Sequence, residues 1–200
     1  DNEINGITFA GVGSGTTVDH CEVAYNADDG FEFFGGTVNV KYLSVLFGGD
    51  DSFDTDEGYQ GKGQCLFTML GTTGNHGTEM DSKTGGDFNS QPRSHPAWYS
   101  MTIIGGGSSG RTGGLMRLRE GTGGKFGNVV MANLGGVHSG VENVDCASET
   151  RTQNLDSVSA PPITETEVPR WTNGCGGRAL QVPPAIVPLQ ASHDQQLSPL

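Results

Sequence analysis

The residues best suited to chemistry are carboxylates, and they recur at a fixed interval. Asp28-Asp29 and Asp50-Asp51 stand 22 residues apart, and Glu32, Asp54 and Glu79 follow them, with Asp56 and Asp81 close by. If the interval is structural, these acids stack. Stacked like charges repel, and a cation or a proton relieves the repulsion. Asp28, Asp29, Asp50 and Asp51 form a dense set of hard oxygen ligands. Such a set suits calcium, which takes roughly six to eight oxygens. Asp51, Asp54 and Glu79 are also a source of two carboxylates for cleaving a glycosidic bond, which needs one acid of raised pKa. His76 falls in the column of Asp29 and Asp51, so a His–carboxylate contact is expected there. Trp98 is an aromatic platform able to stack on a sugar, although in a strand only one of Trp98 and Tyr99 faces outward. The plainer expectation is that the aspartates sit in hydrated turns and bond their own backbone, that His76 is structural and that Trp98 belongs to the core. Arg117 and Arg119 come from a later segment, and the sequence separation argues against their reaching the acids.

The elements that would position these residues are short strands. Val18–Tyr25, Val40–Phe47 and Gly63–Leu70 align at offsets of 22 and 23 residues. Cys21, Val23 and Tyr25 alternate with polar neighbours, as do Leu43, Val45 and Phe47. After a polar turn, Phe31/Phe33, Phe53/Thr55 and Thr78/Met80 alternate with Glu32, Asp54 and Glu79. Alternation marks strands with one buried face, and Gly and Asp between them mark turns. A period of this length holds two or three short strands and no helix. The economical solution is a coil in which each strand pairs with its equivalent one turn away, roughly 4.8 Å distant. Val18, Val40 and Gly63 then stack. Trp98–Ile104, Leu115–Arg119 and Phe126–Asn133 read as further coils, and residues 82–97 as a polar loop that leaves the body. Gly (33) and Pro (9) make about a fifth of the 200 residues, which excludes a helical bundle.

The period, the short strands and the Asp-Asp/Gly turns resemble a right-handed parallel β-helix of the pectate-lyase-like superfamily. The stretches Thr8–Thr17, Phe31–Thr37 and Asp50–Asp54 are similar to secreted or surface-attached β-helix repeat proteins of unassigned role. The resemblance covers roughly residues 4–145 and implies an all-β solenoid of about five or six coils. Many members of that superfamily bind or act on polysaccharides.

The expected organisation is a β-helix domain over 1–146 and a Pro-rich extended tail over 147–200. The tail carries few alternating apolar residues, so it would pack on the body or on a neighbouring subunit. A Cys146–Cys175 disulfide is expected where core is scarce, and Cys21 and Cys65 read as buried thiols in strands. Net charge is −12, and residues 1–60 carry 12 acids against one base, Lys41. That balance disfavours nucleic acid as a partner. Apolar runs are too short to span a membrane. The chain opens at Asp1 without a leader pattern, as expected of a processed protein or a segment of a longer one. The functional expectation is an extracellular or cell-surface structural protein. It would be a subunit of a layer, fibre or filament, joined through open coil ends and the tail into a homo-oligomer or polymer. The alternative is a polysaccharide lyase, glycoside hydrolase or carbohydrate-binding protein.

Overall fold

The computed structural model describes residues 4–83, 88, 90–107, 113–134, 138–144 and 171–173. These hold β1 (Ile7–Ala10), β2 (Thr17–Ala24), β3 (Phe31–Phe34), β4 (Asn39–Leu46), β5 (Phe53–Asp56) and β6 (Lys62–Met69). They continue with β7 (Thr78–Met80), β8 (Ala97–Ile104), β9 (Gly113–Leu118), β10 (Lys125–Ala132), β11 (His138–Asn143) and β12 (Trp171–Asn173), and no helix occurs among them. Odd strands and β12 form a seven-stranded sheet in the order β1-β3-β5-β7-β9-β11-β12, while even strands form a five-stranded sheet in the order β2-β4-β6-β8-β10. Every pairing is parallel, between equivalent strands of successive turns. The fold is therefore an all-β parallel solenoid of about five turns, and no helix of the described residues is long and apolar enough to cross a membrane.

The expected stacking holds. Val18 pairs with Val40, Val40 with Gly63, and the column continues through Trp98 to Phe126. Gly63 is required there, because a Cβ on it would lie 2.7 Å from Trp98 Cδ1. The core is a stack of ladders. Phe9 lies over Phe33 with ring centroids 5.1 Å apart, and Phe31 over Phe53 at 5.7 Å. Phe31, Phe33, Phe53, Thr55, Thr78 and Met80 are fully buried, as their alternation predicts.

Four expectations are corrected. Trp98 is 0% exposed and packs edge-on against Phe33, Phe53, Tyr59 and Phe126, so it is core and Tyr99 is the outward ring. Tyr25, counted with the inward residues of its strand, is 77% exposed. Its φ of 56° turns the chain, so the side chain points out and stacks on Phe47 at 5.2 Å. The second part of the 82–97 loop does not leave the body. Arg93 and Ser94 are buried, Ser94 Oγ accepts the backbone N–H groups of Gly58 and Tyr59, and the Arg93 guanidinium donates to the Gly121 carbonyl. The fourth is the distance of Arg117 and Arg119 from the acids, since Arg119 bonds Asp81 and Arg117 approaches Glu79. Cys146, Cys175 and the tail except β12 lie outside the described residues. β12 itself pairs in parallel with β11, as a further strand of the same sheet.

The long strands of the five-stranded sheet are each bent at one residue. His20, Tyr42, Cys65, Ser100 and Asn128 all have φ between 52° and 59° and occupy equivalent positions. A left-handed residue in mid-strand resets the alternation. Val40 and Leu43, three apart, therefore both point inward, where an unbroken strand would send them to opposite faces.

Candidate functional site

The acids gather on the outer face of the seven-stranded sheet and in the turn that leads into it. One column climbs that turn. Asn5 Oδ1 accepts the Asp29 N–H at 3.2 Å, Asp29 Oδ1 accepts the Asp51 N–H at 3.0 Å, and Asp51 Oδ1 accepts the His76 N–H at 2.6 Å. Each side chain thus satisfies a backbone donor of the next turn, which is why short acceptor side chains recur there. His76 Nδ1 also lies 2.7 Å from Asp51 Oδ1, confirming the expected contact.

A second column runs along the strands. Register aligns Glu32, Asp54, Glu79, Arg117 and Glu142 on successive odd strands. Beside them, Asp81 is buried and held by Arg119, whose Nε lies 2.9 Å from both Asp81 carboxylate oxygens. Arg119 Nη2 donates to Glu79 Oε2 at 2.6 Å, and Arg117 Nη1 approaches Glu79 Oε1 at 3.5 Å. The arginines therefore reach the acids after all. Although 38 to 40 residues separate Arg119 from its partners, β9 is the direct neighbour of β7 in the sheet. The intervening residues belong to the loop and to β8 in the other sheet, so chain distance overstates distance in space.

Three sets of ligand atoms each fall within 4.8 Å of one another: Asp28, Asp29 and Asp50; Asp29, Glu32 and Asp54; and Asp51, His76 and Glu79. Of the four aspartates expected to hold calcium, three come together, and Asp51 turns to His76 instead. Asp51 and Glu79 fall in one set with His76, while Asp54, expected with Asp51 and Glu79, joins Asp29 and Glu32.

The face carries more negative charge than its cations neutralise. Asp29, Glu32, Asp51, Asp56, Glu79 and Asp81 are buried and Asp54 partly so, against two guanidiniums. Burial, reinforced by the Asp51 charge, pushes Asp29 up to about 8. Burial raises Glu32 to about 7 against the opposing Asn5 amide, which donates to its carboxylate. Burial raises Asp81 to about 7 despite its bond from Arg119. Glu79 is also raised by burial and by Asp51, with Arg119, His76 and Arg117 working the other way. Asp54 is held well above the usual carboxylate range by burial first and then by the charges of Asp29, Asp81, Asp51 and Glu79. Its Oδ1 is buried and accepts no hydrogen bond among the described residues. These shifts favour protonated carboxyls on this face near neutral pH.

No curated protein and no solved structure matches the chain. A family model described as a pectate-lyase-like beta helix domain matches residues 1–174. That match spans most of the 200 residues and agrees with the parallel solenoid and its register, so the chain belongs to the pectate-lyase-like β-helix domain family.

Proposed function

We propose that the acid face binds a polysaccharide and cleaves it by hydrolysis, with Asp54 as the proton donor. One observation carries this reading. Asp54 Oδ1 is buried and unpartnered, and its proton affinity is raised, in a column between Glu32 and Glu79. A carboxyl that keeps its proton near neutral pH can give it to a glycosidic oxygen. Asp51 supplies the second carboxyl, aimed by its two contacts with His76. Arg119 and Arg117 pin Glu79 at the edge of the site. Asp29 and Asp51 accept backbone N–H groups. Asp54 makes no such backbone bond through its buried Oδ1 among the described residues, and groups perturbed in this way concentrate at functional sites. A polysaccharide substrate implies an extracellular or cell-surface location.

The test is incubation of the full chain with neutral and acidic polysaccharides. New reducing ends are expected, without the ultraviolet absorbance of unsaturated sugar ends. Asp54→Asn should lower the rate about 10²–10⁴-fold with unchanged circular dichroism. Absence of product from every polymer rejects the reading. Unsaturated ends would replace hydrolysis by elimination, with the arginines stabilising the developing enolate.

Assembly is the second reading. β1 and β2 are edge strands of their sheets among the described residues, and Ile4 beside them is 76% exposed. Such edges template another strand. Light scattering that shows concentration-dependent growth of particle mass supports assembly, and a constant monomer mass rejects it.

A further inference from the structure

We infer that the solenoid has a second binding site, for an acidic glycan, in a groove on the outer face of the five-stranded sheet. The groove is an open depression of about 550 Å³ that runs across β2, β4, β6 and β8 on the N-terminal side of their bends. Its chemistry differs from that of the acid face. Lys41 and Lys62 line it together with Thr17, Asn39, Gln64 and Tyr99. Lys125 continues the Lys62 column two strands on, through Ala97. The chain has four lysines, and three of them stand on this one face of a protein whose net charge is −12. Asp19 is the acid among the groove residues, so the local balance is positive. Beyond about 8 Å, physiological salt screens the distant acids.

The groove is built for a sugar polymer. Lys41 Nζ lies 4.8 Å from the Tyr42 ring centroid, which holds its ammonium over the corner of the strand. The Lys62 backbone N–H donates to Asn39 Oδ1 at 3.0 Å, which fixes the amide and leaves its NH₂ as a donor for a hydroxyl. Tyr99 is 44% exposed, and its ring lies across Gly127 of the next strand, where a Cβ would sit 2.7 Å from Tyr99 Cδ1. The bare glycine gives the aromatic ring a flat seat, and such a ring stacks on a sugar face. Hydroxyl and amide groups recur at each strand step of roughly 4.8 Å, comparable to the advance of an extended glycan per sugar. Carboxylate or sulfate groups on that glycan meet the lysines. This site shares no residue with the acid face, and its occupancy does not depend on Asp54.

The experiment is calorimetric titration at physiological ionic strength, where the distant acids are screened, of the full chain with alginate oligosaccharide, the same oligosaccharide after carboxyl reduction, and single-stranded DNA of similar length. Alginate is expected to bind, with the reduced form and the DNA at least tenfold weaker. Lys41→Glu/Lys62→Glu, on exposed or half-exposed side chains, should lose at least tenfold. Lys83→Glu, which removes a lysine paired with Glu57 away from the groove, should bind as the parent does. Failure of the parent chain to bind alginate overturns the inference, as does equal binding of the reduced form or of DNA, or full affinity in the double variant. None of these results bears on the reducing-end assay.

Discussion

Asp29 shows how one side chain serves the fold and the site at once. Its Oδ1 is the acceptor for the Asp51 backbone N–H, yet its charge is disfavoured by burial and by the Asp51 carboxylate. The two roles separate by substitution. Asp29→Asn keeps an acceptor and removes the charge, so it should unfold at higher urea than the parent at about pH 8. Asp29→Ala leaves the buried Asp51 N–H unpaired and should cost about 1–3 kcal/mol. At Trp98, which contacts four aromatic rings, truncation to Ala should cost about 3–5 kcal/mol in a denaturant titration. The identity of Trp98 was plain in the sequence, but its direction was not, because an adjacent Trp-Tyr pair fits a strand in either phase.

The strands owe their geometry to the left-handed column at their bends. Five non-glycine residues accept a conformation that costs an L-residue about 1–2 kcal/mol, and neighbours along the column offset part of it. His20 stacks on Tyr42 at 4.5 Å, and Asn128 donates to Ser100 Oγ at 3.0 Å. Cys65, at φ 59°, lies in the middle of this column. Cys65→Asn should be neutral or stabilising, because Asn tolerates this region, whereas Cys65→Val should destabilise by about 1–2 kcal/mol. Thermal melts of the two variants check the difference. Alternation gave the inward residues of the short odd strands correctly, since no bend interrupts them. It erred at Tyr25 because the positive φ of that residue turns its own side chain outward, and neither composition nor period announces that.

At the scale of the whole molecule, the uncompensated acid face ties stability to pH. Asp29 rises from 3.8 to about 8, Glu32 from 4.5 to about 7 and Asp81 from 3.8 to about 7 on folding. The folded chain therefore binds more protons than the unfolded chain between about pH 4 and pH 8. Stability is greatest at the acid end of that window and declines through it as pH rises. The melting temperature should be higher at about pH 5 than at about pH 8, and a flat profile would contradict the burial of these acids. A calcium ion held by these carboxylates would compete with their protons. It should raise the melting temperature at about pH 8 and much less at about pH 5. Under the hydrolytic reading, calcium should also slow cleavage by displacing the Asp54 proton, whereas an eliminating enzyme would be accelerated by it.

The period and the alternation already dictate a parallel solenoid, because a repeat of 22 or 23 residues with two short amphipathic strands can bury its faces only by stacking on itself. They also dictate the column of Glu32, Asp54 and Glu79, since equal offsets place equivalent residues one strand apart. What the amino-acid order could not decide was everything that depends on leaving that arithmetic. The insertion between Asp81 and Trp98 separates β7 from β9 along the chain but not in space, and so it concealed the two arginines that complete the acid face. The lysine groove is equally a product of stacking, assembled from single residues on four strands. Nearness across turns of a solenoid is set by hydrogen-bond register between strands, and loops of any length can be inserted without disturbing it.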